Sequence, residues 1–165
     1  MAQVTALNWD EWHASGLGQR LMVGYESQPD GVLPTRLEAL LHAGLGGVIW
    51  FRHNAEVALE RGGEVQAARL SSIHDEIQSL HAAQHSEAGR LLVAIDQEGG
   101  PVERLPWSDF PTLPSPYSLH LQPDLMKPYY QLLAQSLAQL GFNLNFSPTV
   151  DVNTEPGNRV INVRS

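Results

Sequence analysis

Cysteine is absent from this chain of 165 residues. That excludes disulfides, thiolate zinc sites and a cysteine nucleophile, and it fits a reducing compartment. Positive charge is scarce, with 10 Lys and Arg against 18 Asp and Glu, a formal net charge of -8. No basic block is available to grip phosphates, which argues against nucleic acid and an anionic membrane surface as partners. No apolar run approaches the ~20 residues of a membrane span. Met1 to Asp10 has neither a basic n-region nor an apolar h-region, so no signal peptide is read and a cytoplasmic protein is expected. There is no G-x-S-x-G elbow and no P-loop. Hydrophobic residues make up 42% and charged residues 17%, which supports a single domain over residues 1–165 with a real core.

Strand-like and helix-like stretches alternate along that domain. Trp9 to Leu17 reads as a first helix and Leu21 to Tyr25 as a first strand. Pro34 to Ala43 is a helix with Leu37, Leu40 and Leu41 at helical spacing and Gly44 as its stop. Gly47 to Phe51 is a second buried strand. Gly62-Gly63 breaks the chain, and Glu64 to His85 follows as a long helix with Val65, Ile73, Ile77 and Leu80 on one stripe. Leu91 to Ile95 is the third strand, and a Pro-rich loop runs from Pro101 to Pro116. Pro128 to Leu140 is a further helix, ended by Gly141. Asn143 to Val150 is the fourth strand. This order predicts a parallel α/β sheet covered by helices. It closes either as a doubly wound open sheet or as a (β/α)8 barrel, of which about 250 residues would be needed for the whole.

Three stretches carry candidate chemistry. Asp96 sits where Leu91 to Ile95 ends, on the edge of the sheet that forms sites in parallel α/β folds. Asp96 and Glu98 share a side if the strand continues. Carboxylates there can accept hydrogen bonds from sugar hydroxyls, bind a metal or transfer protons; a capped turn explains Asp96 equally well. Gly99-Gly100 allows close backbone approach or positive φ, but it lacks G-x-G-x-x-G spacing. In the second stretch, Asn143 and Asn145 share one face of the fourth strand and Leu144 and Phe146 the other. A barrel strand would set the apolar pair against helices and the amides inward; an edge strand gives the same pattern. Asp151 and Asn153 follow Pro148 into a loop. In the third, Arg164 offers a fork of donors for a carboxylate or hydroxyls, although a solvated arginine is the default. His81 and His85 lie four apart on the long helix but without an H-E-x-x-H pattern, so they read as surface histidines. His42, His53, His74 and His120 have no spacing that demands a role, and no metal or other cofactor is expected. Trp50, Phe51 and Trp107 are either core or sugar-stacking rings.

"LLVAIDQEGGPVERL", followed about fifty residues later by "GFNLNFSPTVDVN" and "VINVRS", resembles the N-terminal domain of glycoside hydrolase family 3, most strongly its β-N-acetylglucosaminidase branch. The likeness runs from about Leu21, through "GLGGVIWFRHN" at residues 44 to 54, to the last residue. It implies a (β/α)8 barrel, of which this chain carries about the first four βα units. It also implies retaining hydrolysis of β-linked N-acetylglucosaminides, with muropeptide-derived sugars of peptidoglycan recycling as the usual substrates. Asp96, Arg104 and Arg164 match positions that contact the sugar, so an N-acetylglucosamine-containing saccharide is the implied partner.

The sequence departs from the family pattern in three places. Pro101 stands where the family usually has Arg. The family's Lys-His sugar clamp and the Asp-His pair that follows it are missing. The nucleophilic Asp of the family lies on a later strand. No catalytic residue is therefore assigned in this chain. The front half of a glycosidase is the first expectation, and an inactive sugar-binding or partner-binding homologue is the second. An unrelated nucleotide-binding α/β domain, resting on Gly99-Gly100, is the third. A half-barrel leaves two strand edges open, so self-association or pairing with a second half is also expected.

Overall fold

The computed structural model describes residues 15–28, 32–59, 66–84, 89–105, 113–155 and 157–164. The start of the predicted first helix, the Gly62-Gly63 break, His85 and Trp107 lie outside the described residues. Four strands form one sheet: β1 (Met22–Gly24), β2 (Gly47–Trp50), β3 (Leu92–Ile95) and β4 (Leu144–Asn145). All pair in parallel, and their order across the sheet is their order in sequence. That order decides between the two closures. A doubly wound sheet reverses direction to create a switch point; four strands laid down consecutively are the start of a singly wound barrel.

Helices separate the strands: α1 (Thr35–His42) and α2 (Arg52–Leu59) around β2, α3 (Gln66–Gln84) before β3, and α4 (Pro116–His120) and α5 (Pro123–Gln139) before β4. Strand alternation splits the sheet into two faces. Val48, Trp50, Val93 and Ile95 are fully buried and join one core with Leu37 and Leu41 of α1, Leu70 and Ile77 of α3, and Leu133 and Leu137 of α5. The intervening residues face the barrel interior.

The helices depart from the sequence expectations in instructive ways. α2 has no counterpart among the helices expected from the sequence. It starts directly after β2, where the buried Asn54 accepts from the Phe51 backbone N–H at 2.8 Å and donates to the Tyr25 carbonyl at 2.6 Å. On α3 the buried stripe is Leu70, His74, Ile77 and His81, spaced i, i+4, i+7, i+11. His81 is thus a core residue, not a surface one; residue type suggested exposure, but helical position overrode it. α5 begins five residues before Pro128. The carbonyl that Pro128 fails to bond belongs to Asp124, whose side is exposed, so water can satisfy it.

β4 is shorter than the predicted strand. Asn143 and Asn145 do not face the interior as free amides. Asn143 accepts from the Val93 N–H (2.7 Å) and donates to the Leu91 carbonyl (2.8 Å). Asn145 accepts from the Gln97 N–H and donates to the Gln97 carbonyl, both at 3.0 Å. These side chains act as extra rungs of the β3–β4 ladder. Leu144 pairs in register with Ala94 and, with Phe146 two residues on, takes the interior face, the reverse of the predicted packing against helices.

Candidate functional site

The carboxyl ends of the strands gather the predicted site residues around the loop Asp96 to Leu105. Three polar side chains of this loop, Gln97, Glu98 and Glu103, are engaged within the fold. Gln97 is fully buried; its Oε1 accepts from the backbone N–H groups of Arg104 (2.8 Å) and Leu105 (3.3 Å), folding the loop back on itself. Glu103 Oε1 accepts from the Leu113 N–H at 2.9 Å, and its carbonyl accepts from Arg52 Nη2 at 2.8 Å. Gly99 and Gly100 have φ of 96° and 58°. A Cβ would lie 2.3 Å from the Pro114 carbonyl oxygen at Gly99 and 2.7 Å from the Ser115 Cβ at Gly100. The two glycines therefore serve a tight turn packed under another loop segment, not a phosphate.

Glu98 and Asp96 diverge in role. Glu98 is buried and takes a bidentate pair from Arg164, Nε to Oε2 at 2.9 Å and Nη2 to Oε1 at 2.7 Å, with Thr149 Oγ1 on Oε2 at 2.7 Å. Burial pushes the Glu98 carboxyl up, but the Arg164 and Thr149 bonds outweigh it and hold the group below its ordinary value. Charge-assisted, bidentate geometry of this kind is the strong form of such contacts. Sequence reading had no means of finding this pairing, because the partners are 66 residues apart. Arg164 is therefore neither solvated nor wholly available: besides Glu98 it reaches the Val160 carbonyl through Nη1 at 3.3 Å.

Asp96 is different. Arg104 Nη2 donates to Oδ2 at 3.1 Å, with side-chain exposures of 28% for Arg104 and 22% for Asp96. A monodentate, partly wet pair adds at most about 1 kcal/mol, so stability does not account for a carboxylate at this position. Oδ1 remains an acceptor, and the arginine beside it is a donor, at the mouth of a barrel. Asp96 and Arg104 are thus brought together, while Arg164 approaches through Glu98 on the same loop. Among the described residues no group of three metal-ligating side chains converges, and no helix is long and apolar enough to cross a membrane.

Pro101 occupies the tip of a turn closed by the Gly99–Val102 bridge, with Gly99 N–H donating to the Val102 carbonyl at 3.3 Å and Val102 N–H to the Gly99 carbonyl at 3.4 Å. Neither bond uses position 101, so proline forfeits no backbone bond of the turn. Pro101→Arg is expected to cost no more than about 1 kcal/mol, the lost entropic advantage of proline in the unfolded chain; chemical denaturation of the two proteins measures it.

A consecutive parallel half-barrel puts this carboxylate–guanidinium pair at the strand ends where (β/α)8 enzymes build their sites. The chain belongs to glycosyl hydrolase family 3: its N terminal domain model matches residues 20–165. The chain is 34% identical over 169 residues to beta-hexosaminidase A of Pseudoalteromonas piscicida, covering 90% of this chain and 26% of that protein. It superposes with a TM-score of 0.75 at 30% identity on a family 3 beta-N-acetylglucosaminidase from a Paenibacillus species, over 97% of this chain and 27% of that one. It also matches NagZ from Neisseria gonorrhoeae, solved with N-trifluoroacetyl-D-glucosamine, with a TM-score of 0.63 and 26% identity, over 88% of this chain and 40% of that one. The chain thus spans about a quarter of the length of the hexosaminidase and of the Paenibacillus enzyme.

Proposed function

We propose that this chain forms the first half of the barrel, and one wall of the sugar subsite, of a retaining β-N-acetylglucosaminidase. The observation that carries the reading is the partly exposed Asp96–Arg104 pair at the end of β3, in a chain whose family is that of glycoside hydrolases. Asp96 Oδ1 accepts from one sugar hydroxyl while Arg104 and Arg164 donate to its neighbours; Glu98 holds the Arg164 fork in place. A retaining mechanism needs a nucleophile and an acid/base on opposite sides of the bond. Asp96 and Glu98 do not supply them: one is committed to binding and the other is paired to Arg164. Both catalytic groups come from outside the 165 residues in this reading. Leu92, 44% exposed on the interior face of β3, is the kind of apolar side chain that the remaining strands of a barrel cover. In this reading the intact protein, like the Paenibacillus beta-N-acetylglucosaminidase on which it superposes, acts on N-acetylglucosaminides, with muropeptide-derived sugars as the favoured class.

The test is calorimetric titration of the intact protein, as its cells make it, with N-acetylglucosamine, beside hydrolysis of a chromogenic N-acetyl-β-glucosaminide. Asp96→Ala is expected to weaken binding at least tenfold, the loss of one or two charge-assisted hydrogen bonds. Binding without hydrolysis selects the inactive sugar-binding alternative, and no heat at millimolar sugar rejects both.

A further inference from the structure

In the saccharide reading above, Arg104 donates to a sugar hydroxyl, yet its side chain is lightly held. Nη2 donates to Asp96 Oδ2 at 3.1 Å, and Nε is buried without a hydrogen-bond partner. Its backbone is held more firmly, by side chains. Among the described residues, no backbone–backbone hydrogen bond fixes Glu103, Arg104 or Leu105. Two side chains instead meet on one peptide unit, the one that joins Glu103 to Arg104. Its carbonyl accepts from Arg52 Nη2 at 2.8 Å, and its N–H donates to Gln97 Oε1 at 2.8 Å. In a trans peptide the oxygen and the hydrogen point to opposite sides, so the plane is gripped from both edges. Gln97 is fully buried within the loop itself. Arg52 comes from another strand end, 51 residues away from Glu103; it is exposed and is the first residue of α2. Its footing is pinned by Asn54, which binds the Phe51 N–H, the Tyr25 carbonyl and the Ser27 hydroxyl.

We propose that Arg52 is a positioning residue for Arg104: with Gln97 it fixes the peptide plane from which the sugar-binding guanidinium is aimed. This rests on the saccharide reading above. A peptide plane turns about the two single bonds that flank it, ψ of Glu103 and φ of Arg104. With both edges bonded those dihedrals are set, and with them the direction in which the Arg104 Cα–Cβ bond leaves the loop. The long side chain then starts closer to its bound position, and ordering it on a hydroxyl costs less affinity. Folding stability does not account for the contact. One hydrogen bond from an exposed arginine adds little to stability, and making it restricts a side chain rich in rotamers. What the bond does is join the ends of β2 and β3 at the peptide that determines the aim of Arg104.

The experiment is calorimetric titration of the intact protein with N-acetylglucosamine, in a cycle of two substitutions. Arg52→Met keeps the stem and loses the donor, Arg52→Lys keeps a donor, and Arg104→Ala removes the side chain being aimed. Arg52→Met is expected to weaken binding by about three- to tenfold with the urea midpoint of wild type, and Arg52→Lys to recover most of that loss. Added to Arg104→Ala, Arg52→Met is expected to cost nothing further, because no guanidinium is left to aim. Wild-type affinity in Arg52→Met overturns the proposal and leaves the subsite standing. The same further loss in the Arg104→Ala background shows that Arg52 does not act through Arg104, and overturns it. A loss that comes with a lowered urea midpoint, or that Arg52→Lys does not recover, shows a packing role and overturns it as well. Wild-type protein that binds no sugar overturns it together with the saccharide reading.

Discussion

Glu98→Ala lowers the stability of the folded protein by roughly 3 kcal/mol and frees the segment after Thr149. Removing one member of a buried ion pair costs about 3–5 kcal/mol, because the partner's charge is left without compensation. The lower end applies here, since Glu98 is 6% exposed but the Arg164 side chain keeps 24% of its surface in water. Three charge-assisted bonds vanish together, those from Arg164 Nε, Arg164 Nη2 and Thr149 Oγ1. Glu98→Gln retains an acceptor but no charge and falls between. Urea unfolding at neutral pH measures the loss, and amide exchange of residues 157–164 reports the release. Stability close to wild type, with unchanged exchange, would show that the pair contributes nothing. Acid has the same effect. The unfolded chain protonates this glutamate near its ordinary 4.5, the native state only at lower pH, so the unfolded state binds more protons and the stabilisation, whole above pH 4.5, is lost as pH falls below it.

The second large effect begins at higher pH. His74 is buried among Trp50 (centroids 4.9 Å) and Phe142 (4.7 Å), and its Nδ1–H donates to the Leu140 carbonyl at 2.8 Å. Nε2 is buried without a hydrogen-bond partner. Burial pushes the imidazole down from 6.5 to about 4, against the opposing pull of the Leu140 bond and Asp75. Above pH 6.5 both states are neutral and the native state is at full strength. Between 6.5 and about 4 the unfolded chain takes up a proton that the native state refuses, and stability declines by about 3 kcal/mol. His74→Phe keeps the ring packing and removes the titration. Its stability near pH 8 is expected to fall by roughly 1–2 kcal/mol, because the Leu140 carbonyl loses its donor, while the decline between pH 6.5 and 4.5 disappears and only the loss from Glu98 below pH 4.5 remains. A pH profile identical to wild type would locate the titration elsewhere.

These two residues mark where sequence reading ended. Glu98 was visible as a carboxylate two residues from Asp96, and alternation made them look like a pair. The strand stops at Ile95, alternation stops with it, and each carboxylate meets a different arginine. His74 and His81 were visible only as histidines; a stripe drawn through apolar residues passed them by. Gln97 gave no signal at all, since its work is done on backbone N–H groups seven and eight residues ahead.

What the sequence by itself determined is local or repetitive. Apolar runs and helical spacing gave alternating strands and helices, the end of β3 put Asp96 at the mouth of a sheet, and the spaced motifs gave the family. The tertiary structure alone decided the rest. Strand order separated a barrel from a doubly wound sheet, because register lies in hydrogen bonds between segments far apart in the chain. The same distance hid the Glu98–Arg164 fork and the reach of Arg52 to the Glu103 carbonyl. A side chain's chemistry is written at its own position, but its partner is chosen by how the whole sheet is assembled.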